Sequence, residues 1–342
     1  MEDTDMVDTN SPKKPYFPPP PPLNAAPKGL WRATPPAIFP PMLGLMGLGL
    51  AWRQAAVVLN APTFIGEMLL GAVSLLYVFG LVAYLAKVLR RPALVAEDLR
   101  ILPGRAGLSA GTATGMLLAA ALIPMAPALA KGVLVVFLAA HAIVALLILR
   151  SFALGPADQR RVTPVWHLSF VGFIIGAVPA IGLGWTGLAN AILFTTMPIA
   201  AAIWLISALQ FARADVPPPL RPLLAIHLAP VALFGMVTAG LGMTGAATAF
   251  GWVGITVLAA LLAGARYLTK SGFSALWGAF TFPLAAFANL MFALVAVTGM
   301  PVAVIGGLEL VGATLAIAVI AFKVMQLWAR GKLAKLTNAA SL

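Results

Sequence analysis

Few residues in this chain could do chemistry, and their types and spacing narrow what that chemistry is. The ionisable residues inside its long apolar stretches are Glu309, Glu67 near an end, and His141, His167 and His227. They form no Asp–Lys pair, His-Glu-x-x-His helix, Gly-x-Ser-x-Gly elbow, Walker loop or carboxylate dyad. Redox relays, nucleotide-driven pumping and metal catalysis therefore have no residues to run on. Cysteine is absent, which excludes thiolate metal sites, iron–sulfur clusters and cysteine nucleophiles. No catalytic residue, cofactor or metal site is expected, and the chain does not read as an enzyme. His167 and His227 fall in the first turns of their stretches and, with His141, read as hydrogen-bonded packing residues in preference to ligands. Glu309 is costlier to place, because a carboxyl in an apolar stretch is either held locally, protonated, or part of a transport pathway.

The elements that must position these residues are set by composition. Of the 342 residues, 61% are hydrophobic and 9% charged, and the mean hydropathy is +0.98. A soluble body of this size would need far more polar surface, so lipid must be the solvent for most of the chain. The distance between charged residues is the useful ruler. There are 20 uncharged residues from Arg32 to Arg53, 19 from Glu67 to Lys87, 25 from Arg105 to Lys131 and 18 from Lys131 to Arg150. The gaps then lengthen to 51 from Arg161 to Arg213, 44 from Arg221 to Arg266 and 38 from Lys270 to Glu309. A helix crosses hydrocarbon in about 20 residues, so each long gap must fold back as a hairpin. The turns are legible at Gly184-Trp185-Thr186-Gly187, Gly242-Met243-Thr244-Gly245 and Thr298-Gly299-Met300-Pro301. Ten spans follow, over 36–52, 64–89, 106–126, 131–149, 165–183, 187–212, 222–243, 247–266, 274–298 and 302–328.

The expected fold is an all-α integral membrane protein of ten transmembrane helices. Of its Lys and Arg residues, twenty fall on the side of the two termini and only Arg53 and Lys131 on the other. That asymmetry puts both termini in the cytoplasm. It also accounts for a net charge of +12 without nucleic acid, as topology determinants and contacts for anionic lipid. Residues 1–33, with Pro18 to Pro22 in a row, read as a disordered proline-rich cytoplasmic tail, 34–330 as the membrane domain and 331–342 as a second cytoplasmic tail. Short turns alternate with longer basic connections, so the repeating unit is a helical hairpin used five times. Five hairpins in a ring leave an axis that one helix of each pair can line. Prolines in the odd-numbered spans, at Pro40-Pro41, Pro179, Pro230 and Pro283, read as kinks packed by neighbours or as kinks tolerated beside a wet axis; the second reading is the sharper.

The ninth span reads Leu276-Trp277-Gly278-Ala279-Phe280-Thr281-Phe282-Pro283-Leu284-Ala285. It resembles the signature of the tellurite-resistance/dicarboxylate transporter family, which includes bacterial TehA and the slow-type anion channels of plant guard cells. Leu220-Arg221-Pro222 with His227-Leu228-Ala229-Pro230 is similar to the family's seventh helix, Gly44 to Trp52 to the end of its first, and Thr163-Pro164-Val165-Trp166 to the entry of its fifth. The resemblance runs from about residue 33 to 330. It implies ten helices as five hairpins around a central pore, a homotrimer, and a pore gate at Phe282. A neutral ring closes by sterics and dewetting without trapping an ion. Pro41, Pro230 and Pro283 are then pore-lining or kink positions. The third helix has Gly111-Thr112-Ala113-Thr114-Gly115 where relatives tend to have a proline, and the fifth has Ser169, so these two are kinked by glycine or straighter. The hydroxyls of Thr112, Thr114, Ser169 and Thr281 are candidates to replace water around an ion.

Two functions are compatible with these residues. The first is an anion channel or uniporter in the cell inner membrane, carrying small inorganic or organic anions outward down their gradient, with a link to tellurite resistance. Its selectivity would come from the positive mouth and from helix dipoles, with no basic residue in the pore itself. The second is a proton-coupled carrier of C4-dicarboxylates, sulfite or related oxyanions, with Glu309 or a histidine as the proton site.

Overall fold

Uncharged stretches of this length satisfy their backbone groups internally only by forming helices, and every regular element of the computed structural model is helical among the residues it describes, 31–299 and 301–342. The proline run of the expected N-terminal tail lies outside them. The long elements are α1 (Phe39–Val58), α2 (Thr63–Arg90), α4 (Leu102–Leu122), α5 (Pro127–Leu154), α6 (Ile174–Gly182), α7 (Thr186–Arg213), α8 (Leu228–Gly240), α9 (Thr244–Ala263), α11 (Gly278–Thr298) and α12 (Pro301–Ala329). Three short helices, α3 (Ala93–Leu99), α10 (Ala265–Leu268) and α13 (Leu333–Leu336), lie in the connections and the C-terminal tail. Seven helical segments are long and apolar enough to cross a membrane: α2, α5, α7, Pro218–Gly240, α9, Ala275–Thr298 and α12.

The helices form two layers. The inner helices α1, α4, α6, α8 and α11 each touch the next, and α11 closes back on α1. Each carries one outer partner behind it, respectively α2, α5, α7, α9 and α12. Burial separates the layers: 72% of the most apolar stretch of Pro218–Gly240 and 67% of that of Ala275–Thr298 are buried, against 22–33% for the five outer helices. The outer helices present large apolar side chains outward, such as Leu75, Val136, Phe194, Trp252 and Leu315, as a lipid-facing surface requires. Helices α1, α4 and His167–Gly182 fall short of the crossing measure. Helices α1 and α4 are sheathed by protein and carry glycine, proline and polar residues where an exposed span would carry leucine, whereas His167–Gly182 is apolar but short. A side chain at Gly44 would run into Thr281, and one at Gly47 would reach 3.3 Å from the Phe282 ring and 3.2 Å from Ala285. These two glycines let α1 and α11 approach closely.

The hairpin turns fall where glycine predicts them. Gly184 and Gly242 adopt φ of +76° and +75° after α6 and α8, and the next residue in each turn donates to a carbonyl five residues back, Trp185 to Ala180 and Met243 to Thr238, both at 2.8 Å. Pro179 and Pro283 lie inside α6 and α11 as the sequence suggests, but the other prolines and the largest irregularities fall elsewhere. Pro40 and Pro41 open α1, where a missing N–H leaves nothing unpaired. Pro230 lies in the first α-helical turn of α8, and the outer helix α7 has an internal proline of its own, Pro198. The larger irregularities are a π-helical turn at His167–Val171 before α6 and a 3-10 segment at Pro218–His227 before α8. Further 3-10 turns, Pro36–Ile38 and Ala275–Trp277, lead into α1 and α11. The fourth helix, α4, is regular through its glycines.

The first described residues meet the C-terminus. The Leu342 N–H donates to the Arg32 carbonyl at 3.2 Å. Nearby, a fully buried ion pair joins Lys87 and Asp98 at 3.0 Å, and Asp98 also accepts from the Tyr84 hydroxyl and the Ala340 N–H. Lys87 completes its shell on the Thr34 carbonyl, so this cluster ties both tails to α2 and α3.

Candidate functional site

The axis of the inner ring holds two cavities, one toward the end face, where Arg32 meets Leu342, and one toward the hairpin turns. All five inner helices, or the turns that lead into them, line each cavity. The end-face cavity, about 60 Å³, is walled by apolar residues with His167 as its one titratable lining group. The turn-face cavity, about 220 Å³, adds Arg53, Gln54 and Asn289 to its apolar wall. A water molecule needs roughly 10–15 Å³, so both have room for water.

Two residues line both cavities, Phe282 and Leu233. Phe282 comes from the first turns of α11 and is 7% exposed; Leu233 comes from α8 and is 4% exposed. The ring of Phe282 is seated by its neighbours. Gly47 leaves space beside it on α1, and Asn289 Nδ2 pins α11 to α1 by donating to the Gly47 carbonyl at 2.9 Å. Thr281, the preceding residue, donates to the Pro40 carbonyl at 3.1 Å and to Gly278 at 2.7 Å, fixing the start of α11 against the start of α1. Pro283 follows and lines the end-face cavity, as does Pro230. Proline withholds an N–H from the carbonyl four residues earlier. For Pro179, Pro230 and Pro283 those earlier residues are Ile175, Ile226 and Ala279, and all three line the end-face cavity.

The sequence-predicted positions thus divide. Phe282, Pro230 and Pro283 meet at the axis. Pro41 packs on Gly278 and lines neither cavity. The four hydroxyls face other partners: Thr114 donates to the Ala110 carbonyl, Thr112 to those of Ser109 and Leu108 while lying 2.6 Å from His141 Nδ1, Ser169 pairs with Ser109 at 2.9 Å, and Thr281 is held as above. None of these four residues lines either cavity. In a helix shielded from water a hydroxyl is best satisfied by the carbonyl one turn back, which turns it from the axis. Glu309 lies in α12, away from both cavities, with Oε1 buried and unpartnered.

Arg53, a basic residue not singled out by sequence as a site residue, lines the turn-face cavity. Its guanidinium lies at the turn-face cavity, gripping Glu67 through Nε and Nη2 at 2.7 Å each and donating through Nη1 to the Ala121 carbonyl at 3.1 Å. Leu233 and Asn289 were also not singled out by sequence. A leucine in an apolar helix carries no signal, whereas an asparagine in a span is a polar outlier that could have been followed.

Two axial cavities that share Phe282 and Leu233 as wall residues, within a closed ring of helix pairs, are accompanied by a match across nearly the whole membrane region. Residues 33–327 match SLAC1, the family described as voltage-dependent anion channels. The chain belongs to this family. No curated protein matches it. As a family member with seven helices apolar enough to cross a bilayer, it is a multi-pass membrane protein of the channel and transporter kind.

Proposed function

We propose that the protein is a passive anion channel or uniporter whose conduction path runs through the two axial cavities and is gated by Phe282. The observation that carries this reading is the position of that ring: with Leu233, it lines the cavities on both sides and divides them. An uncharged septum between water-sized cavities blocks ions by sterics and by dewetting, and a small rotation of one side chain would open it. Anion preference has two physical sources. The inner helices all begin at the end face, so the positive ends of their dipoles surround that cavity. Arg53 supplies a fixed cation at the opposite cavity.

In this reading all ten long helical segments span the bilayer, α1, α4 and His167–Gly182 crossing inside the shell of the others. The chain ends are cytoplasmic by the distribution of basic residues, in a cell inner membrane, with efflux the natural direction under an inside-negative potential. The chain assembles as a homotrimer, and its anions include those linked to tellurite resistance. Reconstituted in planar bilayers, the protein is expected to carry anion currents that rise strongly in Phe282→Ala. Background currents in both forms would reject the channel.

A proton-coupled carrier of dicarboxylates or sulfite is the second reading, favoured by the buried, unpartnered Oε1 of Glu309. Its distance from the axial cavities weighs against it. Acid-driven uptake into liposomes that Glu309→Gln abolishes would establish coupling, and uptake indifferent to pH would remove it.

A further inference from the structure

A third cavity, about 390 Å³, lies off the axis near the end face, between the last turns of α7, residues 161–164 and the 3-10 segment Pro218–His227. Its volume falls within the ~300–1,000 Å³ range of small-molecule sites. Three features give it a chemical character. Its walls are mainly apolar, among them Trp204 and Leu224, and its rim residues Arg161, Phe211 and Ala214 are exposed on the outer surface. Arg161 has no hydrogen-bond or ion-pair partner among the described residues, and no carboxylate lines the cavity. Asp215, next to the rim, is already held by Arg221 at 2.7 Å and by the Tyr267 hydroxyl. Finally, two lining hydroxyls, Thr163 Oγ1 and Ser207 Oγ, are buried without partners. Serine and threonine in a long helix ordinarily return the hydroxyl to the carbonyl four residues back, as Thr195 and Thr196 do in this same α7. Ser207 does not.

We propose that this cavity binds an acyl chain carrying an anionic headgroup: the chain against the apolar wall, the head between the Arg161 guanidinium and the free hydroxyls. An aliphatic chain suits the walls, an anion suits an unpaired guanidinium with no competing carboxylate, and such molecules are drawn from the lipid that the exposed rim meets. The site also reaches the axis. His227 lines it, and His227 Nδ1 lies 3.1 Å from His167 Nε2, whose ring lines the end-face cavity beside Phe282. An occupant that shifts His227 therefore shifts a wall of the conduction path. This coupling rests on the channel reading; the binding site does not.

Native mass spectrometry of the full chain in non-ionic detergent tests binding directly, with phosphatidylglycerol, oleate, phosphatidylcholine and inorganic phosphate titrated separately. One molecule of phosphatidylglycerol or oleate per chain is expected, held about fivefold more tightly than phosphatidylcholine, the worth of one basic residue against an anionic head. Whichever binds more tightly identifies the source as bilayer lipid or free fatty acid. Arg161→Gln, at an exposed position, should erase the preference for the anionic head. Ala208→Trp should fill the cavity and remove the bound molecule, with Leu224→Trp narrowing it from the opposite wall should the first variant not fold. Equal retention in all variants, no preference over phosphatidylcholine, or phosphate binding as well as the amphiphiles would overturn the site. Currents in bilayers with and without oleate test the coupling: a response in the parent chain that Arg161→Gln loses supports it, and binding without a response refutes it. Absence of current in every lipid would count against the channel while leaving the binding result intact.

Discussion

At the scale of single residues, Phe282 is held by its surroundings more than by its own chemistry. Replacing it with alanine removes the septum, and an increase in current of at least about tenfold is expected, equivalent to ~1.4 kcal/mol off the barrier. Gly47→Ala tests the seat of the ring. A methyl group there would lie 3.3 Å from the ring and hold it more tightly in place, so current should fall, and the effect should vanish in a Phe282→Ala background. Additive effects of the two changes would mean that the glycine does not act through the ring. Arg53 and Glu67 make opposite predictions. Glu67→Gln leaves the guanidinium uncompensated beside the cavity and should raise the anion-over-cation permeability ratio; Arg53→Gln should lower it. Both shifts should shrink near 1 M salt, where the screening length falls to about 3 Å. Phe282 could be found in the sequence because Phe280-Thr281-Phe282-Pro283 stands in a recognisable motif. Arg53 could be placed outside the hydrocarbon but not at the cavity, because charge spacing reports depth along a helix and says nothing of the face a side chain takes.

At the scale of elements, hydropathy made all ten long helical segments legible, and glycine marked three of the five hairpin turns. What it could not give was the quality of the inner helices. The π turn at His167–Val171, where His141 approaches Gly172, has no local pattern to announce it, whereas the 3-10 segment at Pro218–His227 begins within the prolines at 217–219 and contains Pro222. The hydroxyl-bearing residues of α4 and of the π turn before α6 were legible as polar outliers, but their orientation depends on which partner is nearest, and that is settled only in three dimensions. The buried Lys87–Asp98 pair was hidden for a similar reason, since a lysine in the last turn of a span and an aspartate in the basic connection after it both read as solvated. Lys87→Met strands Asp98 without its cation and should cost about 3–5 kcal/mol, read as a lower thermal midpoint in detergent. Lys87→Met with Asp98→Leu should recover most of that loss. An unchanged midpoint in the single variant would show that the pair contributes no stability.

At the scale of the molecule, the closed ring explains why glycine and proline concentrate in α1, α4, α6, α8 and α11 while leucine, valine and phenylalanine dress α2, α5, α7, α9 and α12. The ring needs close approach, and the sheath needs lipid solubility. The division of the axis into two cavities has an electrical consequence. In the channel reading, with both cavities filled by water, a membrane potential would drop mainly across the thin layer made by Phe282 and Leu233 and hardly at all along the rest of the path. An intense local field then acts on a barrier that carries no charge of its own, so moving that barrier does no electrical work. The septum by itself should open with the same probability at +100 and −100 mV, and any dependence on potential must be brought to it by the permeating anion.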